Sequence, residues 1–187
     1  MSLSPLHFSA VDPQDPALEA FLIADPWPFH GTVQHSAESV AKSVASGAYE
    51  GPDNEPHWIW LGAERVGLVV FRELEDPTPV FDLRLVGAAR GRGLGGQVLA
   101  WLAKEAFGRH GKRRLEGHTR ADNLPMRRCF ERLGWQQEAH YRAAWPDPAG
   151  TWHDATAYAI LATEWAGGPP VEVPLVFPPA GATSPFS

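Results

Sequence analysis

The chain is poor in cysteine: Cys129 is the only one among 187 residues. An intrachain disulfide is therefore impossible, and a reducing cytoplasm is the expected location. The eight histidines occur in neither an HExxH nor a Cys-containing ligand spacing. We therefore expect no structural or catalytic metal.

Long apolar runs are also lacking. The longest, such as VGLVVF at 66–71, fall well short of the roughly 20 residues that a membrane-spanning helix needs. The first residues, MSLSPLHFSAVD, show no basic patch followed by an apolar run, so no signal peptide is expected. These patterns predict a protein without membrane association.

Basic residues are scarce outside one segment. The formal net charge is −6, which argues against general nucleic-acid binding. Of the 16 Lys and Arg residues, 13 lie between Arg84 and Arg142, which gives that segment a charge of +8 and the remainder −14. A basic, solvated helix face would explain this pattern, but we favour a site for a polyanionic small molecule.

The order of periodic segments predicts β-α-α-β-β-β-α-β-α-β-β, without internal repeats. Asp15, Ser36 and Asn123 or Asp122 are candidate helix N-caps. The pattern indicates one α+β domain over residues 1–166. Residues 167–187 are rich in Pro, Gly and Ala and form a predicted C-terminal tail, disordered or laid along a surface.

The stretch RGRGLGG at 90–96 is a candidate anion-binding loop. Glycines allow a close approach of the backbone to an anion, and the next helix would offer unpaired N–H groups. The stretch also satisfies the dinucleotide pattern G-x-G-x-x-G, with Glu116 twenty residues further on. However, antiparallel strands before the loop do not suit a dinucleotide-binding fold, and no Gly-Lys-Ser/Thr follows that would indicate a nucleotide P-loop.

The spacing Arg90-x-x-Gly93-x-Gly95 between a strand and a helix resembles the acyl-CoA loop of the GNAT acetyltransferase superfamily. The segment RRLEGHTRADNLPMRRCFERLGW at 113–135 is similar to the strand and helix that follow in that family. Within that superfamily, the chain is most similar to the RimJ/RimL-type branch, which acetylates ribosomal-protein N-termini. The resemblance covers roughly residues 6–165.

This resemblance implies a mixed, largely antiparallel sheet with a central pair of parallel strands that splay apart, flanked by helices. It also implies acetyl-CoA as the cofactor, with the pantetheine arm between strands 80–86 and 113–119. The residues expected to bind it are Leu85, Val86, Gly87, Arg90, Gly91, Arg92, Gly93, Leu94, Gly95, Gly96, Asn123, Met126 and Arg128.

The implied reaction is direct attack of a primary amine on the thioester, which needs a base for the amine proton. The candidates are Glu116, ranked first, His118 and Asp82, although Asp82 could simply pair with Arg84 on the same strand face. Many relatives carry a hydroxyl residue where this chain has Met126 and the arginine after it. Tyr158 is therefore a candidate for protonating the thiolate.

The acceptor pocket is expected to contain Trp27, Phe29, His30 and Trp152. Aromatic rings beside acidic residues suit a cationic amine, such as a protein N-terminus or a small molecule. Two alternatives stay open: a non-catalytic acyl-CoA-binding module on the same fold, and an NAD-dependent oxidoreductase. A homodimer is possible, but no feature of the sequence specifies one.

Overall fold

The computed structural model describes residues 6–165, so the predicted tail lies outside the described residues. The elements follow the predicted order and are β1 Leu6–Ala10, α1 Pro16–Ala24, α2 Ala37–Ala45, β2 Glu55–Leu61, β3 Glu64–Arg72, β4 Val80–Leu85, α3 Leu94–Lys104, β5 Arg114–Arg120, α4 Leu124–Arg132, β6 Gln136–Pro146 and β7 Trp152–Leu161. A 3₁₀ turn at Gly87–Ala89 and a π-helical turn at Glu105–Arg109 were not predicted.

Helices α1, α2 and α4 begin at the N-cap residues that the sequence predicts. Asp15 accepts a hydrogen bond from Ala17 N at the start of α1, and Ser36 forms a reciprocal capping box with Ser39 at the start of α2. Asn123 caps α4. Gly93, in contrast, begins α3 without a side-chain cap and has a left-handed backbone at φ 77°.

The strands form two antiparallel sheets, in the orders β1-β2-β3-β4 and β5-β7-β6. They meet where Glu116 N on β5 donates to Pro79 O, immediately before β4, at 3.1 Å. Phe81 on β4 approaches Gly117 on β5, so the contacts run in the same order along both strands, as in a parallel pair. Beyond this point β4 and β5 diverge into separate sheets, which confirms the predicted α+β fold with a central splayed pair.

Alternation along β3 divides the core into two layers. Val69 and Phe71 pack with α3 and α4, whereas Leu68 and Val70 pack with α1 and α2 on the opposite face. At the splay, Gly117 is required for packing, because a Cβ atom there would lie 2.6 Å from the Phe130 ring. Residues of both β4 and β5 pack in the layer that contains α3 and α4.

Within residues 6–165, no helix has the length and apolar character of a membrane span. The same described residues contain no cluster of three or more His, Cys, Asp or Glu side chains that could hold a metal ion.

Candidate functional site

The loop before α3 presents an open backbone surface. Gly91 and Gly93 adopt positive φ angles of 73° and 77°. A Cβ atom built on Gly91, Gly93 or Gly96 would meet no atom within 4 Å. Because the first four N–H groups of a helix have no intrahelical partner, the start of α3 offers amides of Leu94 and Gly95 to an anion.

Arg90 does not extend toward this surface. Its Nε donates to Leu85 O and its Nη2 to Pro26 O, both at 2.8 Å, and its guanidinium lies 5.6 Å from the Trp27 ring. The guanidinium thus fixes the loop to the α1–α2 connection. Arg92 and Arg128 are exposed and make no ion pair with the described residues, so both side chains remain available to a phosphate.

The edge of β4 that faces β5 carries the backbone groups of Leu83 and Leu85, whose carbonyl oxygens are taken by His30 Nε2 and Arg90 Nε and whose N–H groups have no partner among the described residues. Val86 N donates to Val66 O at 3.0 Å. Since hydrogen-bonded residues alternate in an antiparallel ladder, the polar groups of Leu83 and Leu85 point away from β3 and into the gap. Gly87 N is taken by Asp25 Oδ2 at 2.7 Å. Of the three backbone positions predicted to bind pantetheine, only Leu85 therefore faces the gap, and Leu83, which was not predicted, faces it as well.

The facing edge of β5 shows the same arrangement. Ala121 N donates to Asp154 O of β7 at 2.8 Å. The alternation then turns the backbone groups of Glu116 and His118 toward β4, in agreement with the Glu116–Pro79 bond. An extended, amide-containing chain could therefore pair with both edges like an added strand.

A cleft of about 600 Å³ passes through this splay. Its walls include seven predicted site residues, Phe29, His30, Asp82, Glu116, His118, Asn123 and Met126. They also include Glu73, Thr119 and Trp145, which were not predicted. The elements that supply these residues are distant in sequence. The fold thus brings the candidate bases and half of the predicted acceptor residues to one place.

Asp82 is held as a carboxylate in an ion-pair cluster. Its carboxylate pairs with Arg84, the alternative that the strand pattern had offered, and lies 3.8 Å from Arg72 Nη2 and 3.2 Å from His30 Nε2. Burial alone would raise the pKa of Asp82, but Arg84 and the His30 hydrogen bond outweigh it and hold the pKa well below its usual range. A carboxylate with such a low pKa is a poor general base.

His30 belongs to the same cluster through one ring nitrogen. Its Nε2 lies 3.1 Å from Leu83 O as well as 3.2 Å from Asp82 Oδ1. Both partners are acceptors, so Nε2 carries the proton. The ring thereby connects the α1–α2 loop to the gap-facing edge of β4.

Glu116 and His118 form a dyad on the cleft side of β5. His118 Nε2 lies 2.5 Å from Glu116 Oε1, and Arg114 Nη2 donates to Glu116 Oε2 at 2.6 Å. Burial favours a raised pKa for Glu116, but the hydrogen bonds from Arg114 and His118 prevail and lower it. Both carboxylate oxygens are engaged, whereas 45% of the His118 side chain is exposed. The imidazole is therefore the more accessible base of the two.

Cys129 lies on the core side of α4 and lines no part of the cleft. Its Sγ would be 3.3 Å from a Cβ atom placed on Gly95, directly under the anion loop. Burial raises the pKa of its thiol. A neutral, partly buried thiol fits a packing role.

Three of the predicted catalytic and acceptor residues do not reach the cleft. Tyr158 is 1% exposed and stacks on Phe130, and its hydroxyl is hydrogen-bonded to α4 and β6 side chains. Trp27 is buried and its Nε1 donates to Leu22 O, so it is a core residue. Trp152 is 61% exposed and lies outside the cleft wall, where Trp145 takes the expected aromatic position.

Comparison with known proteins gives one matching family model, described as the acetyltransferase (GNAT) family, over residues 20–135. Among solved structures, RimJ of Mycobacterium smegmatis in complex with CoA-disulfide is 19% identical and covers 86% of this chain and 84% of its own, with a TM-score of 0.73. No curated protein sequence matches significantly.

Two further structures share the fold at similar distance. RimL, a ribosomal L7/L12 alpha-N-protein acetyltransferase in complex with coenzyme A, is 20% identical over 86% of this chain and 96% of its own, with a TM-score of 0.72. Spermidine N-acetyltransferase of Vibrio cholerae, in complex with CoA and spermine, is 15% identical over 86% and 97%, with a TM-score of 0.71.

Proposed function

Because the chain belongs to the acetyltransferase (GNAT) family, we propose that it transfers an acetyl group from acetyl-CoA to a primary amine bound in the same cleft. The observation that carries this proposal is the splay of β4 and β5, whose inward-facing backbone groups lead from the open start of α3 to the Glu116–His118 dyad. The structure gives no support to the dinucleotide alternative, since β4 belongs to an antiparallel sheet.

The residues present fit the donor. The amides at the start of α3 would hold the pyrophosphate, supplemented by the free Arg92. The N–H groups of Leu83 and Leu85 and the backbone of His118 would pair with the pantetheine amides. Acetyl-CoA supplies an acetyl thioester whose carbonyl carbon accepts the amine nitrogen while the C–S bond breaks and its electron pair leaves on sulfur. Asn123 and Met126 line the same passage.

His118 would accept the proton of the attacking amine. Glu116 accepts the Nε2 proton, which leaves the Nδ1 lone pair for the substrate or an intervening water. Glu116 is then the positioning residue. His118→Gln should lower kcat by about 10²-fold, the usual range for a general base, with unchanged CoA affinity. Glu116→Gln should produce a smaller loss and an altered pH profile.

Several features support a cationic acceptor. The cleft has aromatic walls from Phe29 and Trp145. Its carboxylates Asp82 and Glu116 are ion-paired, but Glu73 is exposed and makes no ion pair with another described residue. A protein N-terminus and a small-molecule amine both fit. Residues 1–166 as the catalytic domain, a cytoplasmic location and a homodimer remain parts of the proposal.

Calorimetry with CoA, acetyl-CoA and NAD⁺ tests the donor, and a thiol-release screen over N-terminal peptides, polyamines and amino acids tests the transfer. We expect binding of CoA and acetyl-CoA and turnover with at least one amine class. Binding of NAD⁺ without CoA binding would refute the proposal.

A non-catalytic acyl-CoA-binding module is the second candidate. It is favoured by Met126, which places a thioether where many relatives have a hydroxyl, and by the distance of Tyr158 from the cleft. Binding of CoA without turnover on any amine would select this alternative.

A further inference from the structure

The end of β5 contains a buried hydroxyl whose proton has no acceptor among residues 6–165. Asn123 Nδ2 donates to Thr119 Oγ1 at 2.9 Å, and Thr119 is 4% exposed. The orientation of the Asn123 amide is set by its capping role, because its Oδ1 accepts from Met126 N at the start of α4. The NH2 group of the Asn123 amide must therefore point to Thr119.

This arrangement fixes the direction of the Thr119 hydroxyl proton. An amide nitrogen only donates, so Thr119 Oγ1 is the acceptor in that bond and its own O–H must point elsewhere. Thr156 Oγ1 bonds to the carbonyl oxygen of Thr119, at 3.4 Å, and leaves the hydroxyl untouched. No described residue within hydrogen-bond distance accepts the proton. Buried donors are nearly always paired, so a ligand is the expected partner.

Thr119 lines the cleft on the side opposite the proposed base. Successive residues of a strand point to opposite faces, so His118 faces the acceptor side, and Thr119 faces Asn123 and Met126 on the α4 side. An amine that loses its proton to His118 enters from the first side. The leaving sulfur of the donor then belongs on the second side, beside Thr119.

We propose that the Thr119 hydroxyl donates a hydrogen bond to the CoA sulfur and thereby stabilises the thiolate that leaves. The inference rests on the proposed function. It assigns to β5 the hydroxyl that neither Met126 nor Tyr158 provides. The proton of the hydroxyl remains on oxygen, and the thiolate is stabilised by the hydrogen bond alone.

The test is the ionisation of CoA bound to the enzyme, which needs no acceptor amine. The ultraviolet absorbance of the thiolate is titrated against pH, with desulfo-CoA as the blank. A charge-assisted hydrogen bond should place the thiol pKa about one pH unit lower in the wild type than in Thr119→Val. Thr119→Ser should keep the low value, and Thr119→Ala replaces Thr119→Val if the latter fails to fold.

Thr156→Val is the matched control, because it removes a buried threonine hydroxyl that lies outside the cleft wall and bonds to the backbone carbonyl of Thr119, not to its hydroxyl. Its thiol pKa should equal that of the wild type. Equal pKa values in the wild type, Thr119→Val and Thr119→Ala would overturn the inference. So would a shift produced by Thr78→Val alone, since Thr78 is the other threonine that lines the cleft.

The kinetic counterpart is a lower kcat in Thr119→Val, by about tenfold, at unchanged KM for acetyl-CoA. Absence of CoA binding in the wild type would instead refute the proposed function itself. Normal CoA binding with an unshifted thiol would refute only the role of Thr119.

Discussion

Replacement of Asp82 by asparagine tests how strongly this carboxylate stabilises the fold. The side chain keeps its shape in Asp82→Asn but loses its charge. Arg84, only 8% exposed, then remains as a buried guanidinium with its Nε already lacking a hydrogen-bond partner among the described residues. Arg72, 3.8 Å from the same carboxylate, loses part of its compensation as well.

The expected cost follows from the burial of the pair. Removing one partner of a buried ion pair typically costs about 3–5 kcal/mol, because the other charge stays desolvated. Asp82 is 21% exposed, so some water reaches the site. We therefore expect Asp82→Asn to lower the free energy of unfolding by about 2–4 kcal/mol.

Asp122→Asn is the matched control, in the turn that follows β5. Asp122 also pairs with an arginine two residues away, Arg120, but its side chain is 52% exposed. Arg120 is only 11% exposed, but it keeps hydrogen-bond contacts with Pro28 O and the His153 ring when Asp122 is replaced, so we expect a cost of about 1 kcal/mol. Urea unfolding of both variants at pH 7 measures the difference, with equal m-values as the check that only stability has changed.

The pH dependence provides a second readout. The pKa of Asp82 is depressed in the folded state by Arg84 and His30 in spite of burial. Its stabilising contribution is therefore fully present above the unfolded pKa of about 3.9 and is lost as the pH falls further. The difference between wild type and Asp82→Asn should stay constant from pH 8 to about pH 5. A cost below about 1 kcal/mol, or one equal to that of Asp122→Asn, would show that the cluster contributes little.

Three further predictions concern residues around the site. Gly93→Ala should destabilise the protein by about 1 kcal/mol, because the backbone of residue 93 is left-handed, whereas Gly96→Ala should stabilise it by up to about 1 kcal/mol, because alanine is a better helix former than glycine. Thermal unfolding compares the two variants, and equal effects would contradict the assigned geometry. Tyr158→Phe should lose about 1–2 kcal/mol of stability and retain full turnover, and a large loss of kcat would restore it as the proton donor. Cys129 should react slowly with a thiol reagent in the native protein and rapidly in urea, because burial raises its pKa; rapid native labelling would show that the thiol is accessible.

Local sequence signals predicted the framework of this fold. Asp15, Ser36 and Asn123 each cap a helix through a bond that spans only two or three residues. The hydrophobic periodicities are local as well, and the order of all eleven helices and strands followed from them. The anion loop was predicted for the same reason, since its glycines and the following helix are contiguous in the chain.

The contacts within the site depend on distant residues and could not be predicted. Arg90 and Arg92 look equivalent in RGRGLGG, yet Arg90 is bound by the carbonyl of Pro26, 64 residues away. Likewise, His30 binds a carbonyl 53 residues further along the chain. Only the packing of the α1–α2 loop against β4 determines which arginine stays free.

The charge of the cleft shows how far composition can mislead. Residues outside the basic segment carry a formal charge of −14, which suggests a strongly negative acceptor pocket. However, Asp82 pairs with Arg84 and Glu116 with Arg114, in each case across two residues on one strand face. Glu73 is left as the unpaired carboxylate among the described cleft residues. One free carboxylate favours an acceptor with a single ammonium group, and a comparison of monoamines with polyamines at matched ionic strength measures that preference.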